Sequence, residues 1–254
     1  MTDFTVEVFD RLQDEAEFFD REAERTQGAQ RGLKFTNNLN YEQYFAHQRP
    51  YAAVRDFMGD IGGKRILDYA CGTGWTSVFF ARSGAQCHGI DISAKSIAVA
   101  NRTAVINEVG SRCDFRVGSG ENLPYADETF DFVFGNAALH HVDLEMAPGE
   151  IARVLKPGGK AAFIDDLRYH PVLWLYRHIA RRKHTLFEAP LILRDLEWFA
   201  GSFSEIKAET FDILNLMPKR KRVAAVLTKV DDAMLQLMPG LRNCCRYVVV
   251  KLVK

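Results

Sequence analysis

Between residues 61 and 165 short apolar runs alternate with longer stretches whose apolar positions recur every three or four residues. The short runs predict strands at 65–69, 86–90, 113–117, 130–135 and 160–165, and the longer ones predict helices at 75–83, 94–107 and about 146–155. Strands alternating with helices build a parallel sheet covered on both faces. Ser93 is placed to cap the second of these helices and Gly110 to close it, while Pro157-Gly158-Gly159 separates the third from the strand that follows. Ahead of this core, Phe4, Val8, Phe9, Leu12, Ala16, Phe19 and Ala23 recur near helical spacing. Residues 26–40 read as a polar, mobile loop. Residues 41–58 are rich in aromatics, including Tyr41, Tyr44, Phe45 and Tyr51. Beyond residue 165 the rhythm changes. A helix is predicted from His170 to Lys183, with Val172, Leu175, Tyr176 and Ile179 on one face. A second is predicted from Leu191 to Ala200, then a strand over 203–211. Another helix follows Lys219-Arg220-Lys221-Arg222, and an apolar last strand spans Cys245 to Val253. The expectation is one domain over residues 1–254: an N-terminal helical part to residue 60, a core over 61–165, and a basic C-terminal part.

Composition adds three constraints. An apolar fraction of 47% suits a chain of 254 residues with a real core. Net charge is zero, which argues against a nucleic-acid partner, but the charge is unevenly spread. Residues 1–60 hold 7 Lys/Arg against 12 Asp/Glu, and residues 166–254 hold 16 against 9. Five cysteines without C-x-x-C spacing, and an N-terminus without a basic, apolar leader, fit a reducing cytoplasmic setting.

The chemistry gathers at Lys64–Ser77, K-R-I-L-D-Y-A-C-G-T-G-W-T-S. A strand ending in Asp68 runs through Cys71-Gly72-Thr73-Gly74 into a helix, so the turn can aim free backbone N–H groups at a ligand. A dinucleotide fingerprint needs a third glycine, and here Trp75, Thr76 and Ser77 follow instead. A carboxylate this close would repel a pyrophosphate and attract an ammonium group, so the ligand reads as a nucleoside carrying an amino acid. Asp91 lies 17 residues after Gly74, at the end of the second strand, where an acid accepts ribose hydroxyls.

These residues resemble motif I of the class I S-adenosylmethionine-dependent methyltransferases, whose core reads D-x-x-x-G-x-G. The resemblance implies a Rossmann-like three-layer α/β sandwich. Its sheet would be seven-stranded, mostly parallel, with an antiparallel last strand and an N-terminal helical cap. It also implies S-adenosyl-L-methionine as cofactor and S-adenosyl-L-homocysteine as product. Asp68, Ala70, Cys71, Gly72, Gly74 and Asp91 would then hold the cofactor, and Ile92 would cover one face of the adenine. In G-S-G-E-N-L-P, Ser119 stands where the family carries an acid for the adenine amino group, so the backbone near Gly120, with Ser119 or Glu121, takes that part. Asn136 opens the loop that should face the sulfonium. The N-P-P-Y type of motif found where nucleobase or glutamine amino groups are methylated is absent.

A protonated acceptor would need a base, and a neutral imidazole is the usual one near pH 7. His140 is the first candidate, with His141 and His47 behind it. The spacing of His140, His141 and Asp143 matches no zinc pattern, so no metal is expected. The favoured reading is transfer of a methyl group to oxygen, nitrogen or carbon of a small molecule. One alternative is a lipid or quinone methyltransferase at a membrane, touching it through basic helices near 171–183 and 219–238. The plainer reading gives those helices to covering the sheet. An NAD(P)-dependent oxidoreductase and a non-catalytic cofactor-binding protein complete the set. The pattern leaves the oligomeric state open.

Overall fold

The computed structural model describes residues 2–28, 33–179, 188–214 and 221–254, with side chains except those of 2–10, 26–28, 221 and 222. The strands are β1 (Arg65–Tyr69), β2 (Gln86–Asp91), β3 (Cys113–Val117), β4 (Phe130–Asn136), β5 (Leu155–Asp166), β6 (Glu205–Phe211) and β7 (Tyr247–Val253). They form one sheet in the order β3-β2-β1-β4-β5-β7-β6. β7 runs antiparallel to both its neighbours and the pairs from β3 to β5 are parallel. The order reverses at β1 and β4, so a crevice opens at their carboxyl ends.

The helices are α1 (Thr2–Gly28), α2 (Tyr41–Phe45), α3 (Arg49–Met58), α4 (Trp75–Arg82), α5 (Ala94–Ile106), α6 (Ala147–Val154), α7 (Pro171–Ile179) and α8 (Lys221–Leu237). Strand side chains alternate between faces, and the two faces build separate cores. Ile66, Phe132, Phe134, Ala162 and Val249 pack with α2, α3, α4 and α5. Leu67, Tyr69, Val133, Phe163 and Val250 pack with α6 and the 3₁₀ turns of Leu193–Phe199. The expected three-layer sandwich, seven strands and antiparallel last strand are all present.

Local departures have local causes. The second core helix stops at Asn107, where Glu108 takes a positive φ of 61°, before Gly110 is reached. β5 starts at Leu155, which pairs with Phe130 before the register shifts, so Pro157-Gly158-Gly159 is an irregularity within the strand. Residues 193–199 are 3₁₀ turns where an α-helix was expected. The described part of the supposed mobile loop is tied down. Phe35 donates its N–H to Asn107 at 3.0 Å, and Arg82 reaches the carbonyls of Asn37 and Leu39. α7 does not cover the sheet, because none of its nine residues is buried. The side chains of Phe4, Val8 and Phe9, and residues 180–183 and 219–220 with the side chains of Lys221 and Arg222, lie outside what is described. No described helix is long and apolar enough to cross a membrane.

Candidate active site

At the carboxyl end of β1 the chain cannot continue extended. Ala70 takes φ 55° and Gly72 φ 51°, and Gly74 caps α4 at φ 73°. A methyl group on Gly74 would strike the Ala100 side chain at 2.8 Å, so glycine there serves both the turn and the seat of α4 on α5. The turn is braced by Asp91, whose carboxylate accepts the N–H of Gly72 at 2.8 Å and of Ser93 at 2.9 Å. Burial nevertheless holds the Asp91 carboxyl above its ordinary range, those two N–H groups pulling the other way. Asp68 lies beneath the turn, 3% exposed, accepting the Ser77 hydroxyl at 2.6 Å. Burial pushes it up to about 7, against the pull of Ser77.

These residues wall a cavity of about 340 Å³. Its floor and sides are Asp68, Ala70, Cys71, Gly72, Asp91, Ile92, Ser119, Gly120 and Asn136, all proposed from sequence. Gly74 braces the turn from behind. A side chain at Gly120 would run into the Tyr69 ring, which fixes how closely that loop approaches. Glu121 does not reach the cavity. It is 4% exposed, paired with Arg11, and accepts the N–H of Asp143 at 2.6 Å.

The roof is α1, which sequence reasoning left as an unspecific cap. Leu12, Glu15, Phe19, Glu22 and Ala23 face the cavity. Polar contacts hold the helix down. Besides pairing with Glu121, Arg11 donates to the carbonyl of His141 at 3.2 Å. Asp20 accepts the Ser93 hydroxyl at 2.5 Å and the N–H of Lys95 at 3.1 Å, and Glu24 pairs with Lys95. The cavity is thus lined by four carboxylates, Glu15, Glu22, Asp68 and Asp91, with no Lys or Arg among the described lining residues.

A second cavity, about 420 Å³, adjoins the first, with Trp75, Asn136 and Ala137 walling both. Ala137 takes φ 55°, a strained backbone at the seam between them. Tyr44, Gln48 and Tyr51 close one side, and Asp165, Asp166, Arg246 and Tyr247 the other. The Tyr51 hydroxyl donates to the Asn136 side chain at 3.2 Å. Of these, sequence reasoning gave a role to Asn136 and named Tyr44 and Tyr51 only among the aromatics of residues 41–58. The signal for the rest was positional, since Asp165-Asp166 ends β5 and Arg246 precedes the antiparallel β7, at the same edge of the sheet.

The three histidines part company. His141 lines the first cavity, its Nδ1 3.1 Å from the Glu15 carboxylate and its ring edge-on to Phe19. His47 is exposed in the turn after α2, Nδ1 2.6 Å from the carbonyl of Gln43, and walls neither cavity. His140 walls neither as well. It is 8% exposed and its Nδ1 is engaged by Asp165. Burial disfavours its charged form, but the Asp165 carboxylate outweighs this and the ring is held above its ordinary range. Asp165 also accepts the N–H groups of Ala138 and Leu139, at 3.3 and 2.9 Å. The pair therefore fixes the loop at the seam from behind.

Residues 67–163 match the family described as "Methyltransferase domain". An uncharacterized methyltransferase of Synechocystis sp. is 34% identical over 148 residues, 56% of this chain and 62% of that protein. The chain thus spans about six-tenths of that relative. Geranyl diphosphate C-methyltransferase from Streptomyces coelicolor superposes with a TM-score of 0.61 at 18% identity, covering 96% of this chain and 97% of that one. The cyclase SpnF gives the same TM-score, 0.61, at 21% identity over 94% and 95%. With the glycine turn, the two acids at the ends of β1 and β2, and the sheet order, residues 67–163 form a methyltransferase domain of the class I, Rossmann-like S-adenosylmethionine-dependent type, in a chain of matching fold.

Proposed function

We propose that this protein transfers a methyl group from S-adenosyl-L-methionine to a small-molecule acceptor held in the second cavity. The observation that carries the reading is the carboxylate lining of the first cavity. Four acids without a lining cation suit a ligand bearing a sulfonium and an ammonium, and oppose the pyrophosphate of a dinucleotide. Bound there, S-adenosylmethionine supplies an activated, electrophilic methyl group.

In this reading the residues of the chain bind and align. Asp68 takes the ammonium, Asp91 the ribose hydroxyls, Ile92 one face of the adenine, and Ser119 with the backbone around Gly120 its polar edge. Trp75, Asn136 and Ala137 form the partition across which the acceptor meets the methyl group, and Tyr51 holds the Asn136 amide in place. Alignment of this kind supplies much of the rate when the electrophile is already activated. The acceptor atom is oxygen, nitrogen or carbon of a biosynthetic intermediate. Where it carries a proton, Asp166 is the wall residue best suited to take it, because burial raises its carboxyl despite the opposing charge of Arg177. His140 is then a positioning residue, its ring engaging Asp165 while Asp165 holds the loop at the seam.

Calorimetry tests the cofactor. S-adenosylhomocysteine should bind and NAD should not, and tighter binding of NAD overturns the reading. Asp91→Ala removes hydrogen bonds to a charged acceptor, worth roughly 1.5–3 kcal/mol each, so affinity should fall by at least tenfold. For His140→Gln, turnover should drop while the pH profile keeps its shape. Loss of a limb above pH 6.5 would restore His140 as the base. The cyclase of like fold motivates a second reading, cofactor binding without transfer, which label transfer to an acceptor panel separates from the first. A lipid-borne acceptor is a further variant, favoured by the exposed apolar residues of α7 and α8.

A further inference from the structure

An amphipathic helix on a monomeric soluble protein turns its apolar stripe inward. α7 and α8 each leave one in solvent. On α7 the inward charged residue is Arg177, 16% exposed, which reaches the carbonyl of Leu167 and pairs with Asp166 at 3.2 Å. At helical spacing the side opposite Arg177 carries Val172, Leu175 and Ile179, which are 55%, 53% and 78% exposed. On α8 the inward charged residue is Asp231, fully buried, accepting the N–H groups of Ile213 and Leu214. The opposite side carries Val226, Val230 and Leu237, at 60%, 41% and 83% exposure. The segments beside the two helices are linked. His170, just before α7, engages the carbonyl of Ile213 at 3.0 Å, and Ile213 is held by α8. Each helix therefore buries a charged residue beside a few half-buried apolar ones, Leu173 on α7 and Leu227, Met234 and Leu235 on α8, and leaves a further apolar stripe to solvent.

We propose that these two stripes seat the protein flat on an anionic lipid surface. Contiguous apolar exposure of this kind marks an interaction site, and charge selects the partner. Residues 166–254 hold 16 Lys/Arg against 9 Asp/Glu. On α8 itself the exposed Lys229 flanks the stripe. A second copy meeting this one through the same surface would oppose like charges, whereas anionic headgroups complement them. Half-exposed Trp174, between the stripe and Arg177, suits the headgroup boundary. Because Arg177 pairs with Asp166, a wall of the second cavity, α7 stands between that cavity and the seated face.

The full chain should co-sediment with vesicles containing phosphatidylglycerol at 0.1 M salt, and markedly less with pure phosphatidylcholine or at 0.5 M salt. Trp174 emission should shift to the blue on binding, and the shift should vanish in Trp174→Phe. Ile179→Glu with Val226→Glu should weaken vesicle binding at least tenfold while S-adenosylhomocysteine affinity stays unchanged. Val226→Ser, a milder change, should weaken it in the same direction should the double variant misfold. No binding to anionic vesicles, or equal binding to neutral ones, overturns the proposal. So does a dimer in sedimentation that Ile179→Glu dissociates without any vesicle affinity. Vesicle binding needs neither cofactor nor turnover, so its failure leaves the methyl-transfer reading standing.

Discussion

The two ends of the chain carry similar helical patterns and put them to opposite uses. α1 turns Leu12, Phe19 and Ala23 toward the core and the cavity, and holds itself there with Arg11, Asp20 and Glu24. α7 and α8 anchor through Arg177 and Asp231 and leave a stripe of apolar residues outside. The acidic end closes over a site that takes a cation, and the basic end offers a face to an anionic partner. Apolar periodicity thus predicted that helices form in both places. The polar residue opposite each stripe, and what it finds to bind, decided which side faced in.

The roof and floor of the first cavity should be sensitive to single changes, and the outer face should not. The largest effect is expected at Asp68. Asp68→Asn removes the charge that meets the ammonium, and losing one partner of a buried pair costs about 3–5 kcal/mol, roughly 10²–10⁴-fold in cofactor affinity by calorimetry. Stability without ligand should move the other way. The folded protein holds the Asp68 proton up to about pH 7, while an unfolded carboxyl releases it near 3.9. Between those values the folded state binds more protons, so stability falls as pH rises through the window. Unliganded Asp68→Asn should lack that decline and melt above the wild type at pH 8; a lower melting temperature there breaks the argument.

Arg11→Ala comes next. It leaves Glu121 buried with one backbone N–H for compensation, and should cost about 3 kcal/mol in denaturant unfolding. Loss of the roof should also loosen cofactor binding. An Arg11→Ala protein with wild-type affinity would show that α1 is not needed to close the cavity. Phe19→Ala removes the ring packed edge-on to His141 and should cost about 1 kcal/mol, with a few-fold loss in affinity. Val226→Ser, on the opposite end, should change stability by less than about 0.5 kcal/mol. A larger destabilisation would mean that the α8 stripe packs inward after all.

The first cavity was legible because its residues are local: Asp68, Gly72 and Gly74 share one turn, and Asp91 follows at the next strand's end. The sheet was legible for the same reason, each strand and its helix being close in sequence. What escaped notice depends on distant pairing. Glu121 looked like an adenine ligand because its neighbours match a family motif, but Arg11, 110 residues away, claims it. His140 looked like a base by position, yet Asp165, a residue 25 positions on, holds its ring. Asp166 and Arg246 reach the second cavity only once β7 has inserted beside β5.

α1 also sets an order of events in the making of the protein. It is made well before its anchors at Ser93, Lys95, Glu121 and His141, which lie 71 to 130 residues further along. The helix must wait for these contacts until β1 to β4 have assembled beneath it. Its docking is thus a late folding step that closes a long loop, and contacts of such separation form slowly. A cofactor that binds under the roof joins α1 to segments far along the chain, so hydrogen exchange in α1 should slow on binding more than exchange in α6.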